Sequence, residues 1–111
     1  MIMNELPRQI KKVLEFELFH YSEYKRTLEK YYKNEQKQKP VYIKRMEYIC
    51  DAIDNVMSNL NDDRKQFAKE YFFKKYHGNL QNIAFENNYD LSTMYRAKNK
   101  IIELLAGELG Y

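Results

Sequence analysis

The stretch Ile83-Ala84-Phe85-Glu86-Asn87-Asn88-Tyr89-Asp90-Leu91-Ser92-Thr93-Met94-Tyr95-Arg96 decides how this chain is read. A short segment of helical apolar spacing is followed by two asparagines, an aspartate and a second such segment, which is the order of a helix, a tight turn and another helix. Ala84 supplies a small side chain where two helices cross closely, Asn88 tolerates the left-handed backbone of a turn, and Asp90 stands where it can cap the helix that follows. The second helix then carries Ser92, Tyr95, Arg96 and Asn99 on one side and Met94, Ala97, Ile101 and Leu105 on the other. The pattern predicts a helix-turn-helix whose second helix recognises with one side and packs with the other. Asn87 occupies the place where an apolar residue usually closes such a motif, so Phe85 or Tyr89 is expected to fill that space.

Upstream, a helix is expected to open at Asn61, a competent N-cap with Asp62 and Asp63 in the first turn, where the helix dipole favours negative charge. It turns Phe67, Ala68, Tyr71 and Phe72 inward, brings Lys74 and Lys75 near its end, and is stopped by Gly78, with Asn79 capping the next helix. Nearer the start, Ile10, Leu14, Tyr21, Tyr24, Leu28 and Tyr31 form one apolar stripe from about residue 7 to 32, with Glu17 as its interruption and Pro7 suited to a first turn. Residues 33–40 are polar up to the proline and read as a connection. Tyr42, Met46, Ile49, Ile53 and Val56 form a second stripe over residues 41–57, which can pack antiparallel on the first. The last helix, over residues 91–109, packs through Met94, Ala97, Ile101, Leu104 and Leu105. The fold class expected is all-α, with an N-terminal helical pair over residues 1–60, serving as core or dimerisation arm, and a recognition unit over residues 61–111.

Three glycines and two prolines in 111 residues leave few helix breaks, in keeping with that class. The net charge of +3 is modest, but its distribution is informative: no acid lies between Asp90 and Glu103, while Arg96, Lys98 and Lys100 do. Cys50, the one cysteine, lies between Ile49 and Ile53 and reads as an inert buried thiol of a reducing compartment. No apolar run approaches the ~18 residues of a membrane span, and the opening residues lack the order of a signal peptide, so a cytoplasmic, nucleoid-associated protein without membrane partners is expected.

These features point to double-stranded DNA. Ser92, Tyr95, Arg96 and Asn99 would enter the major groove, where a guanidinium suits guanine and a carboxamide suits adenine. Lys98 and Lys100 would hold phosphates, and Lys74, Lys75 and Asn79 would clamp the flanking backbone. Catalysis is not indicated. Glu17-x-x-His20 is half of a di-iron helix motif without its second copy, His20 and His77 lack neighbouring ligands, and no phosphate loop or dinucleotide fingerprint is present, so no metal and no cofactor are expected.

Thr93-Met94-Tyr95-Arg96 together with Lys100-Ile101-Ile102-Glu103-Leu104-Leu105-Ala106-Gly107-Glu108-Leu109-Gly110 resembles the C-terminal segment of the RinA-type phage transcriptional regulators. Leu14-Glu15-Phe16-Glu17-Leu18-Phe19-His20-Tyr21-Ser22-Glu23-Tyr24 is similar to the opening helix of that family, and the ArpU-type late regulators are similar in layout. The resemblance implies a phage or prophage activator of late packaging and assembly genes, with a C-terminal unit like region 4 of sigma factors. It also implies contact with host RNA polymerase, and it adds Thr93 to the base-reading set beside Arg96. The central region here is short for that family. Two other classes suit the same residues: a small terminase subunit that recognises DNA for packaging as a ring, and a helical adaptor that binds only protein through the Tyr-rich stripe of its first helix.

Overall fold

The computed structural model describes residues 6–34, 38–74 and 79–111. Five α-helices and one π-helical segment account for most of them, and the described residues contain no strand. The helices are α1 (Arg8–Lys33), α2 (Val41–Ser58), α3 (Asp62–Ala68), α4 (Leu80–Glu86) and α5 (Leu91–Leu109), with the π-helical segment Lys69–Phe73 continuing α3. Lys75, His77 and Gly78, to which the sequence reading assigned roles, lie outside the described residues.

Both prolines act as helix starts. Pro7 and Pro40 stand at the N-cap positions of α1 and α2 with extended ψ values of 146° and 157°, one residue ahead of the first helical turn. Their carbonyls accept the first helical bonds, from Lys11 N at 3.0 Å and Lys44 N at 3.2 Å. A proline at this point sacrifices no helical donor. The turn between the two helices is tied by Tyr31, whose phenol donates to the Gln38 carbonyl at 2.6 Å. α1 and α2 run antiparallel, as the bonds of Lys25 to Asp54 and of Tyr32 to Glu47 require.

At α3 the expected cap is present, since Asn61 Oδ1 accepts from Arg64 N at 2.9 Å. The expected stop is not. The helix widens into the π-helical segment and ends at Phe73, with Lys74 extended (φ −70°, ψ 146°), before Gly78 is reached. The reason lies in Tyr71, Phe72 and Phe73. An ordinary helix separates consecutive side chains by about 100°, whereas the wider π turn lets all three rings engage neighbours. Phe72 is fully buried, Tyr71 and Phe72 lie 5.4 and 5.2 Å from the ring of Phe19, and Phe73 lies 4.7 Å from that of Tyr21. Ser22 Oγ donates to the Phe73 carbonyl at 3.0 Å, satisfying a group left open where the helix stops.

One core joins all five helices. Leu14 and Leu18 from α1, Ile53 and Val56 from α2, Phe67 and Phe72, Ile83 from α4, and Met94, Ile101 and Leu105 from α5 form a single buried cluster. A smaller cluster of Leu28, Tyr31, Ile43 and Cys50 fills the far end of the α1–α2 pair. The segments on either side of residue 60 therefore share one core, and Leu60 itself is part of it.

In α2, Ile49, Ile53 and Val56 of the expected stripe are buried, but Tyr42 at its start is 56 % exposed, and Ile43 and Ala52 are buried beside the stripe. The side chain that interrupts the α1 stripe is nonetheless inward: Glu17 is only 6 % exposed and pairs with Arg45 at 3.7 Å. Burial, and then the hydrogen bond and charge of Glu17, push the phenol of Tyr24 up to about 12. Cys50 is buried as expected, and loss of solvent pushes its thiol up to about 11.

Candidate nucleic-acid interface

α4 begins with Asn79, whose Oδ1 accepts from Gln81 N at 2.8 Å, so this side chain is engaged in capping. Its C-terminus closes in a six-to-one pattern: Tyr89 N donates to the Ala84 carbonyl at 2.9 Å and Asn88 N to the Phe85 carbonyl at 3.4 Å. Such a closure needs a left-handed residue at its penultimate position, and Asn88 has φ 56° as the sequence suggested. Tyr111 and Gly110 close α5 in the same way.

Two expectations at this turn are corrected. Asp90 stands at the N-cap of α5 and its carbonyl accepts from Met94 N at 3.2 Å, but its side chain caps nothing. Its charge still lies at the positive end of the α5 dipole. Nor does Phe85 plug the space beside Asn87, because it is 86 % exposed, and Tyr89 is exposed too. The position is bridged by polar bonds. Asn87 Nδ2 donates to Glu70 Oε2 at 3.2 Å and to the Ile83 carbonyl at 2.8 Å, and Gln66 Nε2 donates to Glu70 Oε1 at 3.0 Å. A residue that looked like a defect in an apolar closure ties α4 to the π-helical segment.

α5 is anchored along one side by buried Met94, Ala97, Ile101, Ile102 and Leu105. Ser92, Thr93, Tyr95, Arg96, Asn99 and Lys100 are all exposed on its first turns, so six of the side chains assigned to DNA lie together on one rigid helix. Lys74 is exposed at the end of the π-helical segment and Asn79 at the start of α4. Thr93 and Arg96 border a cleft of about 290 Å³ that opens between α5 and the start of α3. Asn61, Asp63, Arg64 and Tyr89 complete its rim, with Phe67, Met94 and Ala97 in the wall. Arg64 thus joins the cationic side of this surface. In the sequence its charge is masked by Asp62 and Asp63, which stand beside it in a first helical turn. The negative charge of Asp63 pushes the Tyr89 phenol up from its ordinary value.

Lys98 differs from its neighbours. Expected to hold phosphate, it is turned inward with its side chain 17 % exposed, and Nζ lies 3.1 Å from Glu15 Oε1 of α1. The ammonium is 5.9 Å from the ring centre of Tyr71 and 6.0 Å from that of Tyr95. Burial pulls its pKa down, but hydrogen bonding to Glu15 and the surrounding groups outweigh this and raise it. Nothing in the local sequence distinguishes Lys98 from Lys100, since the pairing joins residues far apart in the chain.

Glu17 and His20 do not converge. Glu17 faces Arg45, while the His20 ring stacks on Phe16 at 3.9 Å with Nδ1 2.7 Å from the Phe16 carbonyl oxygen. Among the described residues no group of three His, Cys, Asp or Glu side chains is placed to hold a metal ion, and no helix is long and apolar enough to cross a membrane. Compared with protein-family models, curated proteins and solved structures, the chain matches none.

Proposed function

We propose that the chain is a sequence-specific, double-stranded DNA-binding protein in which α4, the turn at Asn88 and α5 act as a helix-turn-helix. The observation that carries this reading is the exposed, acid-free face of α5: Ser92, Thr93, Tyr95, Arg96, Asn99 and Lys100 project from a helix whose other side is locked into the core. A recognition helix needs this combination, because base discrimination depends on side chains held in fixed register. Arg96 and Asn99 supply the bidentate donors that suit guanine and adenine in the major groove, and Ser92, Thr93 and Tyr95 complete the reading set. Lys100, Arg64 and Lys74 provide cations for the phosphate backbone.

The resemblance to RinA-type regulators supports a more specific role, activation of phage late genes by binding upstream of a promoter and touching host RNA polymerase in the bacterial cytoplasm. The exposed apolar side chains Val13, Phe16, Val41, Tyr42 and Tyr48 on α1 and α2 favour a protein contact as well, through polymerase or a second copy.

The test is a fluorescence-anisotropy titration at two salt concentrations, comparing late-promoter DNA with scrambled DNA and wild type with Arg96→Ala. The expected result is selective, salt-sensitive binding that the substitution weakens by about 1–3 kcal/mol. Absence of binding to either DNA overturns the reading in favour of a protein-only adaptor.

A further inference from the structure

Three cations lie in the acid-free run of α5, and the fold treats one of them differently. Arg96 and Lys100 are exposed, whereas the Lys98 ammonium is drawn under Tyr95 and onto the α1 carboxylate of Glu15. The same ammonium faces the ring of Tyr71 from the π-helical segment. Glu15 is itself about three-quarters buried, so this ion pair is better shielded than the pairs of Lys25 with Asp54 and Lys39 with Glu47. Its partner Tyr95 is half-exposed and belongs to the face assigned to base reading. A chain of contacts therefore runs from α1 through Lys98 to the edge of the recognition surface.

Two physical consequences follow. A cation beneath an aromatic ring restricts that ring, so Tyr95 is held in one orientation. A lysine that reaches a phosphate adds to affinity for every DNA sequence alike, and its withdrawal removes attraction that carries no sequence information.

We infer that Glu15 is a positioning residue for DNA recognition: by holding the Lys98 ammonium between Tyr71 and Tyr95, it fixes Tyr95 on the reading face and keeps one cation from the phosphate backbone. It trades general affinity for selectivity. This inference rests on the DNA-reading role of α5.

The experiment uses the full chain, a duplex enriched by the wild-type protein from a randomised pool, and a random-sequence duplex, titrated over a series of salt concentrations. Glu15→Gln is expected to bind the random duplex more tightly, to steepen the dependence of log affinity on log salt by about 0.9, and to lower the preference for the enriched duplex about threefold. Glu15→Asp keeps the carboxylate and is expected to retain most of the wild-type preference. Lys98→Met lowers the preference without steepening the salt dependence, and in the double variant the steepening caused by Glu15→Gln disappears. Parallel weakening on both duplexes at an unchanged salt slope, with a lowered melting temperature, reduces Glu15 to a structural tie and overturns the inference. Unchanged preference and slope overturn it too. A wild-type protein that enriches no duplex and binds none overturns the DNA reading itself, an outcome distinct from failure of the Glu15 variants alone.

Discussion

Phe72→Ala probes the core on which the recognition helix depends. The ring is fully buried and meets Phe19 at 5.2 Å, Phe67 at 6.2 Å and Tyr71 at 4.8 Å between ring centres, with the last two edge-on. Truncation removes a phenyl group from a site walled by α1 and α3, and the neighbouring rings are too rigid to collapse into the space. The cost is about 3–5 kcal/mol, at the usual level for a buried Phe that leaves a cavity. A domain of this size has only about 5–15 kcal/mol in total, so the melting temperature should fall by roughly 12–20 °C.

Urea unfolding followed simultaneously by far-ultraviolet circular dichroism and by tyrosine fluorescence gives both the magnitude and the cooperativity. Because the Phe72 cluster includes side chains from α1 to α5, the two signals should move together to lower urea in one transition. Phe85→Ala, at an exposed site, should shift it by less than about 0.5 kcal/mol. A loss below about 1 kcal/mol for Phe72→Ala refutes the packing argument. Two separated transitions, with α1 and α2 surviving after the rest has melted, refute the shared core.

At the turn, Asn88→Val places a β-branched side chain at φ 56° and should cost about 1–3 kcal/mol by urea unfolding, whereas Asn88→Gly should be near neutral; equal effects would show that the left-handed closure does not exist. Alkaline pH should also destabilise the fold. Burial, followed by bonding to Glu17, holds Tyr24 at about 12, and the bond to Glu47 does the same for Tyr32, against 10.0 for an ordinary phenol. The unfolded chain therefore releases these protons first as pH rises. Stability is unaffected by them below about pH 10 and falls between about 10 and 12, and urea midpoints of the Tyr24→Phe/Tyr32→Phe variant should fall less steeply there; identical slopes would remove both tyrosines from the account.

Much of the helical layout was legible because it depends on local rules. Apolar spacing located α1, α2 and α5, Asn61 and Asn79 capped α3 and α4, and Asn88 took the left-handed turn. Chain-local chemistry also placed Ser92, Arg96 and Asn99 on an exposed side of α5, since the period of a helix determines which residues share a face. Where a position answered to two rules at once, local reading was insufficient. Tyr42 fitted the helical stripe yet lies outside, because Ile43 and Cys50 fill the space against α1.

The sequence by itself determined an all-α chain, its helix starts and the amphipathic character of its last helix, for these follow from backbone propensity, capping and periodicity within a few residues. Only the tertiary structure decided that α3 widens to admit three consecutive aromatic rings, that Glu70 bonds Asn87 at the turn, and that Lys98 leaves the exposed face for Glu15. Each of these depends on a partner distant in the chain, and a charged or polar side chain goes to whichever available partner best replaces its water.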